Sequence, residues 1–167
     1  MGFATIGLDF SKTRTSAEGA EFKLGSRGAA LDSTDGSIVK EYVYVSSAAL
    51  AAVGAVHQYN SAGAAVPATL TTTTPGNAAG PRVAVAVSAI PAGGFGWMQI
   101  YGLGSVSVLA SAVLNTQLNT TATGGSLDDD ATAGSEVIDG IRLSATNGGG
   151  TANVAAYINY PFVGRTL

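Results

Sequence analysis

The chain has 167 residues, few charged side chains and no cysteine. Charged residues make up 11% of it, against about 25% in ordinary soluble proteins. The net charge of −3 gives no general attraction for nucleic acid or for an anionic membrane surface. The absence of cysteine excludes disulfides and thiolate metal ligands. So few charges indicate a protein whose surface is largely covered by neighbouring molecules.

The first 30 residues differ from the rest because they mix charges with apolar side chains that follow no sustained period. This composition predicts an extended N-terminal arm, residues 1–30, that gains order on a partner. The alternative is a loosely packed terminus with one short strand around Glu21–Leu24. In the arm hypothesis, two aromatic anchors and two basic residues contact the partner: Phe3, Phe10, Lys12 and Arg14.

From residue 31 onward the sequence predicts short strands separated by turns. Asp32–Gly36 is a turn because it ends in Asp-Gly, and the threonine run 71–74 with the loop 75–77 ends another strand. Alanine-rich residues 46–56 favour strand and turn over helix, since Gly54 interrupts them. β-Branched or alternating residues predict the strands 38–45, 82–88, 98–108, 117–123 and 137–145.

Two further features are predicted along these strands. Gly102 and Gly104 mark a bend or bulge inside the strand 98–108. The last strand alternates up to Pro161, which is expected to end it. One face of that strand is predicted to carry Val154, Ala156, Ile158, Tyr160 and Phe162.

These elements predict an all-β fold, a short-stranded sandwich or barrel, in a β domain of residues 31–167. A weak internal repeat supports this class. A shift of 56 residues places Val85 on Ile141, Val87 on Leu143, and the Gly-Gly pair at 93–94 on the pair at 149–150. The shift suggests two similar β units, residues 38–94 and 95–163.

Nothing in the sequence favours catalysis, a cofactor or a metal site. The carboxylates at 128–130 are consecutive, whereas a calcium loop needs oxygen ligands at alternate positions. His57 is the only histidine, so a histidine metal site or a triad has no second member. The glycines at 93–96 precede a strand, so no helix N-terminus is available to hold a phosphate. The protein is therefore expected not to be an enzyme.

The second half carries a characteristic order of motifs. Gly94–Gly102 reads GFGWMQIYG, residues 124–131 read GGSLDDDA, and residues 159–163 read NYPFV. Leu24–Arg27 reads LGSR before the first strand. This order resembles the capsid decoration (cement) proteins of long-tailed bacteriophages.

The resemblance implies a virion structural protein on the outer surface of an assembled capsid, made in the host cytoplasm. It implies binding to the major capsid protein, commonly as trimers, and stabilisation of contacts between capsomers. It implies no catalytic residue, no direct contact with nucleic acid and no membrane.

Two other functions stay open from the sequence. A tail-tube subunit would have much the same composition. A receptor- or carbohydrate-binding module, such as a head fibre or adhesin domain, would need an exposed aromatic platform. The candidate platform residues are Tyr42, Tyr44, Trp97, Tyr101 and Tyr157.

Overall fold

The computed structural model describes residues 8–31, 39–69, 73 and 82–167. Over these residues the protein consists of strands and turns without a helix, so the predicted all-β class is confirmed. The described residues accordingly hold no helix that could cross a membrane. The predicted turn at 32–36, the loop at 75–77 and all of the threonine run except Thr73 lie outside the described residues.

The described residues form ten strands that belong to one mixed sheet. Residues 46–56 continue β2 and then turn, as predicted, while the strand predicted at 117–123 shortens to three residues. The strands are β1 (Arg27–Leu31), β2 (Val39–Ser47), β3 (Val56–Tyr59), β4 (Ala64–Pro67), β5 (Val83–Ala86), β6 (Phe95–Val108), β7 (Leu118–Thr120), β8 (Leu127–Asp128), β9 (Glu136–Leu143) and β10 (Ala152–Thr166).

The sheet closes on itself twice. In the first circuit β2 pairs with β4, β4 with β3, β3 with β5, β5 with β6, and β6 with β2. In the second circuit β6 pairs with β8, β8 with β7, β7 with β9, β9 with β10, and β10 with β6. β6 belongs to both circuits. Its first half, up to Tyr101, pairs with β2 and β5, and its second half pairs with β10 and β8.

The pairing pattern of the first circuit recurs in the second. In each circuit, the first and third strands in chain order pair in parallel, and the remaining four pairs are antiparallel. A hydrogen bond outside the strands recurs as well: the Ile90 amide donates to the Ala51 carbonyl, and the Asn147 amide donates to the Ala112 carbonyl. The change from one circuit to the next falls within β6, whereas the predicted repeat units meet at its start, at residue 95.

Two buried clusters fill the circuits, and β5 contributes to both. Ala84 and Ala86 belong to the cluster with Met98 and Ile100. Val83 and Val85 belong to the larger cluster formed mainly by the second circuit. Because successive side chains of a strand point to opposite faces, β5 is buried on both faces and packs the two circuits together.

Gly102 adopts the bend predicted for it. Its φ is +99°, and a register shift between β2 and β6 lies between Glu41 and Tyr42 on the partner strand. A Cβ at Gly102 would lie 2.6 Å from the Val39 carbonyl oxygen, so a side chain does not fit there. The glycine therefore allows β6 to turn from the first circuit into the second.

The described part of the predicted arm packs on the sheet of its own chain. The Phe10 ring stacks on Tyr42, with ring centroids 4.2 Å apart, and meets the edge of Trp97 at 5.1 Å. The Phe22 ring lies 5.3 Å from both Tyr44 and Trp97. These rings form a third cluster that covers the outer face of β2 and of the first half of β6.

Backbone contacts also attach this segment. The Arg14 and Phe95 amides each donate to the other residue's carbonyl at 2.8 Å. Residues 21–24 form a bend and a turn rather than a strand, and β1 already begins at Arg27, inside the range predicted for the arm. Whether residues 1–30 also gain order on a partner stays a prediction.

His57 lies in β3 and is completely buried. Its Nδ1 donates to the Ala55 carbonyl at 3.3 Å, while Nε2 has no partner. Burial disfavours the charged imidazolium and lowers the pKa of His57 to about 4. The histidine is therefore a neutral core residue.

We expect this histidine to make stability depend on pH. Its pKa is lower in the folded state than in the unfolded state, so below about pH 6.5 the unfolded chain binds a proton that the folded protein does not. The contribution of His57 to the free energy of unfolding should therefore fall by about 2 kcal/mol as the pH is lowered from about 7 to about 4.5. Urea denaturation of the wild type and of His57→Leu at both pH values measures the difference. Equal pH dependence in the two proteins would contradict the assignment.

Candidate functional site

The candidate site is an exposed aromatic surface produced by a bulge in β10. From Val154 to Ile158 the even-numbered side chains of β10 are buried, but Asn159 and Tyr160 are both exposed. After them Pro161 is buried and Phe162 is exposed, so the alternation has reversed. The register with β9 shifts at the same place, between Ile158 and Phe162. Tyr160 itself has a left-handed backbone, with φ of 45°.

Two sequence predictions are wrong at this bulge. Pro161 does not end the strand, because β10 continues to Thr166. Tyr160 and Phe162 do not share the buried face of Ile158, because the bulge reverses the alternation on which that prediction rests. A proline in a strand commonly marks a bulge, and this was the signal in the sequence that could have revealed the exposed pair.

Gly140 of β9 makes the bulge possible. Its φ is +81°, and a Cβ there would lie 2.6 Å from the Asn159 carbonyl oxygen and 2.9 Å from the Pro161 Cα. Both contacts are to backbone atoms, which cannot move aside as a flexible side chain can. The sequence therefore needs glycine opposite the bulge.

We define the aromatic face as a set of exposed side chains that come from the start of β2, the middle of β6 and the region of the bulge in β10. Tyr157 is the most exposed of them, at 59%, and Phe162 is 45% exposed. The rings of Tyr101 and Tyr160 stack with their centroids 5.2 Å apart, which joins β6 to β10. The members of the aromatic face are Val39, Tyr101, Tyr157, Tyr160 and Phe162.

One hydrogen bond fixes the centre of this face. The Tyr160 hydroxyl donates to Glu41 Oε1 at 2.8 Å. The bond to the carboxylate favours the protonated phenol and so raises the pKa of Tyr160. Because Glu41 is on β2, this contact links β10 to the first circuit and holds the tyrosine ring beside Tyr101.

An open groove of about 490 Å³ runs along the face. Val39, Tyr101 and Leu103 line it on β2 and β6, and Tyr157 and Asn159 line it on β10. The tyrosines combine apolar ring faces with hydroxyls, as do the side chains that dominate protein–protein interfaces and ring-stacking ligand sites. The arrangement suits the binding of a partner or ligand.

The residues predicted to contact a partner lie away from the aromatic face or outside the described residues. Phe3 lies outside them. Phe10 is packed against Tyr42 and Trp97 of its own chain. Glu21 Oε2 accepts from Arg14 Nε at 2.9 Å and lies 3.2 Å from Lys12 Nζ. Hydrogen bonds from the two basic side chains, Arg14 first, lower the pKa of Glu21.

The five aromatic residues predicted as a platform are divided by the fold. Tyr42, Tyr44 and Trp97 are buried under the N-terminal segment and present no ring to solvent. Tyr101 and Tyr157 remain exposed beside the groove. Val39, Tyr160 and Phe162 complete the face and were missed by reasoning from the sequence.

The acidic turn at residues 128–130 makes local contacts. Asp128 accepts from the Asp129 amide, and Asp129 accepts from the Val113 amide at 3.1 Å. Partial burial raises the pKa of Asp128. Within the ranges that the structure describes, no three histidine, aspartate or glutamate side chains are grouped closely enough to hold a metal ion.

Comparison with known proteins identified no matching protein family and no similar curated protein.

We expect Gly140→Ala to disturb the aromatic face and destabilise the protein. An alanine would have to adopt a left-handed backbone and clash with the bulge, at a cost of about 2 kcal/mol or more. Gly148→Ala is the matched control, because a Cβ at Gly148 meets no atom within 4 Å and its φ is not positive. Urea denaturation measures both variants. Equal stability of the two would show that the bulge does not need glycine.

Proposed function

We propose that the protein is a virion structural protein that binds the outer surface of an assembled phage capsid and stabilises contacts between capsomers. The observation that carries the proposal is the aromatic face, an exposed apolar surface formed by side chains of β2, β6 and β10. Exposed apolar patches with aromatic anchors are typical of protein interaction sites. The motif order at 94–102, 124–131 and 159–163 supports the same function by its resemblance to capsid decoration proteins.

The aromatic rings would supply most of the binding energy. Tyr157 and Phe162 are 59% and 45% exposed, and burying each against a partner could contribute about 1.5–3 kcal/mol. Because a shell presents many equivalent sites, modest contacts of each copy add up to a durable reinforcement. The few charges of the chain keep the electrostatic cost of covering its surface low.

Shells of the encoding phage that lack this protein provide the direct test. Wild-type protein should co-sediment with them and raise the temperature at which they open, while Tyr157→Ser/Phe162→Ser should bind at least about tenfold more weakly. Leu114→Ser is the matched control, since it removes an equally exposed apolar side chain elsewhere on the surface. Failure of the wild type to bind would overturn the proposed function. Equal binding by the double variant would show that another surface docks.

The position of the protein in the virion separates this proposal from a tail-tube subunit. Antibody-gold labelling of virions should mark the head. Label confined to the tail would contradict the proposal.

Carbohydrate binding is a second candidate, favoured by the two exposed tyrosines beside the groove. Tyr101 and Tyr157 could stack on sugar rings, and Asn159 could supply a polar contact. A glycan array probed with the wild type and with Tyr157→Ser separates the two functions. Binding that depends on Tyr157, without binding to shells, would favour the carbohydrate module.

A further inference from the structure

A second, smaller pocket adjoins the aromatic face. It has a volume of about 120 Å³, and Tyr160 and Phe162 form part of its wall. Arg27 and Arg82 also line it, and Tyr59 lies at its buried side. The pocket therefore combines two cationic side chains with aromatic walls that are continuous with the proposed docking surface.

The two arginines are brought together by different parts of the fold. Arg27 is the first residue of β1. Arg82 immediately precedes β5 and forms an isolated antiparallel bridge with Phe162 of β10. Backbone pairing places both residues at the same pocket, where both side chains are exposed to solvent.

Tyr59 lines the pocket together with both arginines. It is 6% exposed, and burial raises its pKa, while the positive charges of Arg27 and Arg82 act in the opposite direction. The effect of both charges on the Tyr59 hydroxyl is consistent with the place of the two arginines in the wall of the same pocket.

No acidic side chain in the described ranges forms an ion pair with either arginine. The ion pairs of those ranges join Lys12 and Arg14 to Glu21. Glu41, the acidic residue that contacts the wall of the pocket, accepts a hydrogen bond from Tyr160 instead. Both arginines that line the pocket thus lack a described carboxylate, and an anion bound in the pocket would be attracted by both.

We propose that this pocket binds a carboxylate group between Arg27 and Arg82. A carboxylate is planar and matches the paired N–H donors of a guanidinium, and its small size suits a pocket of about 120 Å³. The aromatic walls suit the apolar stem that carries such a group. The source of the carboxylate rests on the proposed function: if that function holds, the carboxylate belongs to an aspartate or glutamate of the shell protein.

Titration of the isolated protein tests the pocket independently of any shell. Propionate represents an acidic side chain, glucuronate an acidic sugar and inorganic phosphate a different anion. We expect propionate to shift the Nε–Hε signals of Arg27 and Arg82 in a saturable manner, as followed by nuclear magnetic resonance. Arg27→Gln/Arg82→Gln should lower the affinity by at least about tenfold, because charged hydrogen bonds are lost.

Arg165→Gln is the matched control, since it removes an exposed arginine elsewhere. The wild-type arginine signals provide a readout that does not depend on how a variant folds. Absence of saturable shifts would overturn the proposal. So would a loss of propionate affinity in Arg165→Gln equal to that in Arg27→Gln/Arg82→Gln. Tighter binding of phosphate than of propionate would overturn the choice of a carboxylate as the ligand. A clear preference for glucuronate over propionate would overturn the inference that the carboxylate comes from a protein side chain.

Binding to shells then separates this inference from the proposed function. If wild-type protein binds shells and Arg27→Gln/Arg82→Gln binds equally well, the pocket plays no part in docking and the inference fails alone. If propionate binds at the arginines but the wild type does not bind shells, the pocket stands and the proposed function fails.

Discussion

The fold depends on β6, because this strand closes both circuits of the sheet. Its first half completes the ladder with β2 and β5, and its second half completes the ladder with β10 and β8. Without it, each circuit would have open edges, and unpaired strand edges are prone to association. Gly102 lies where the strand passes from one circuit to the other, in a left-handed conformation that a larger residue could adopt only with strain.

The aromatic face is a local consequence of this arrangement. The second half of β6 pairs with residues 152–159 of β10, so Tyr101 and Tyr157 come to the same side of the sheet. The bulge opposite Gly140 adds Tyr160 and Phe162 to that side. Arg82 pairs with Phe162, which places the arginine pocket directly beside the aromatic rings. The bulge in β10 therefore contributes residues to both candidate binding features.

The sequence predicted the parts of the structure that depend on local patterns. Alternation predicted the strands 98–108 and 137–145, and the glycines predicted the bend at Gly102. Closure of the circuits was not predictable in detail, because it depends on pairing between strands that are distant in the chain, such as β2 with β6. The site was missed in part because a strict period of two, extended through Pro161, placed Tyr160 and Phe162 on the same face as Ile158. Burial of Trp97 under Phe10 also follows only from tertiary packing.

The central functional claim is that the aromatic face is the docking surface. Hydroxyl-radical footprinting, followed by mass spectrometry, measures how accessible each side chain is in the free protein and on the shell. Oxidation of Tyr157, Tyr160 and Phe162 should fall several-fold on binding, while Leu50 and Leu114, which are exposed elsewhere, should react at unchanged rates. Protection of Leu50 or Leu114 with unchanged reactivity of the three aromatic residues would contradict the account.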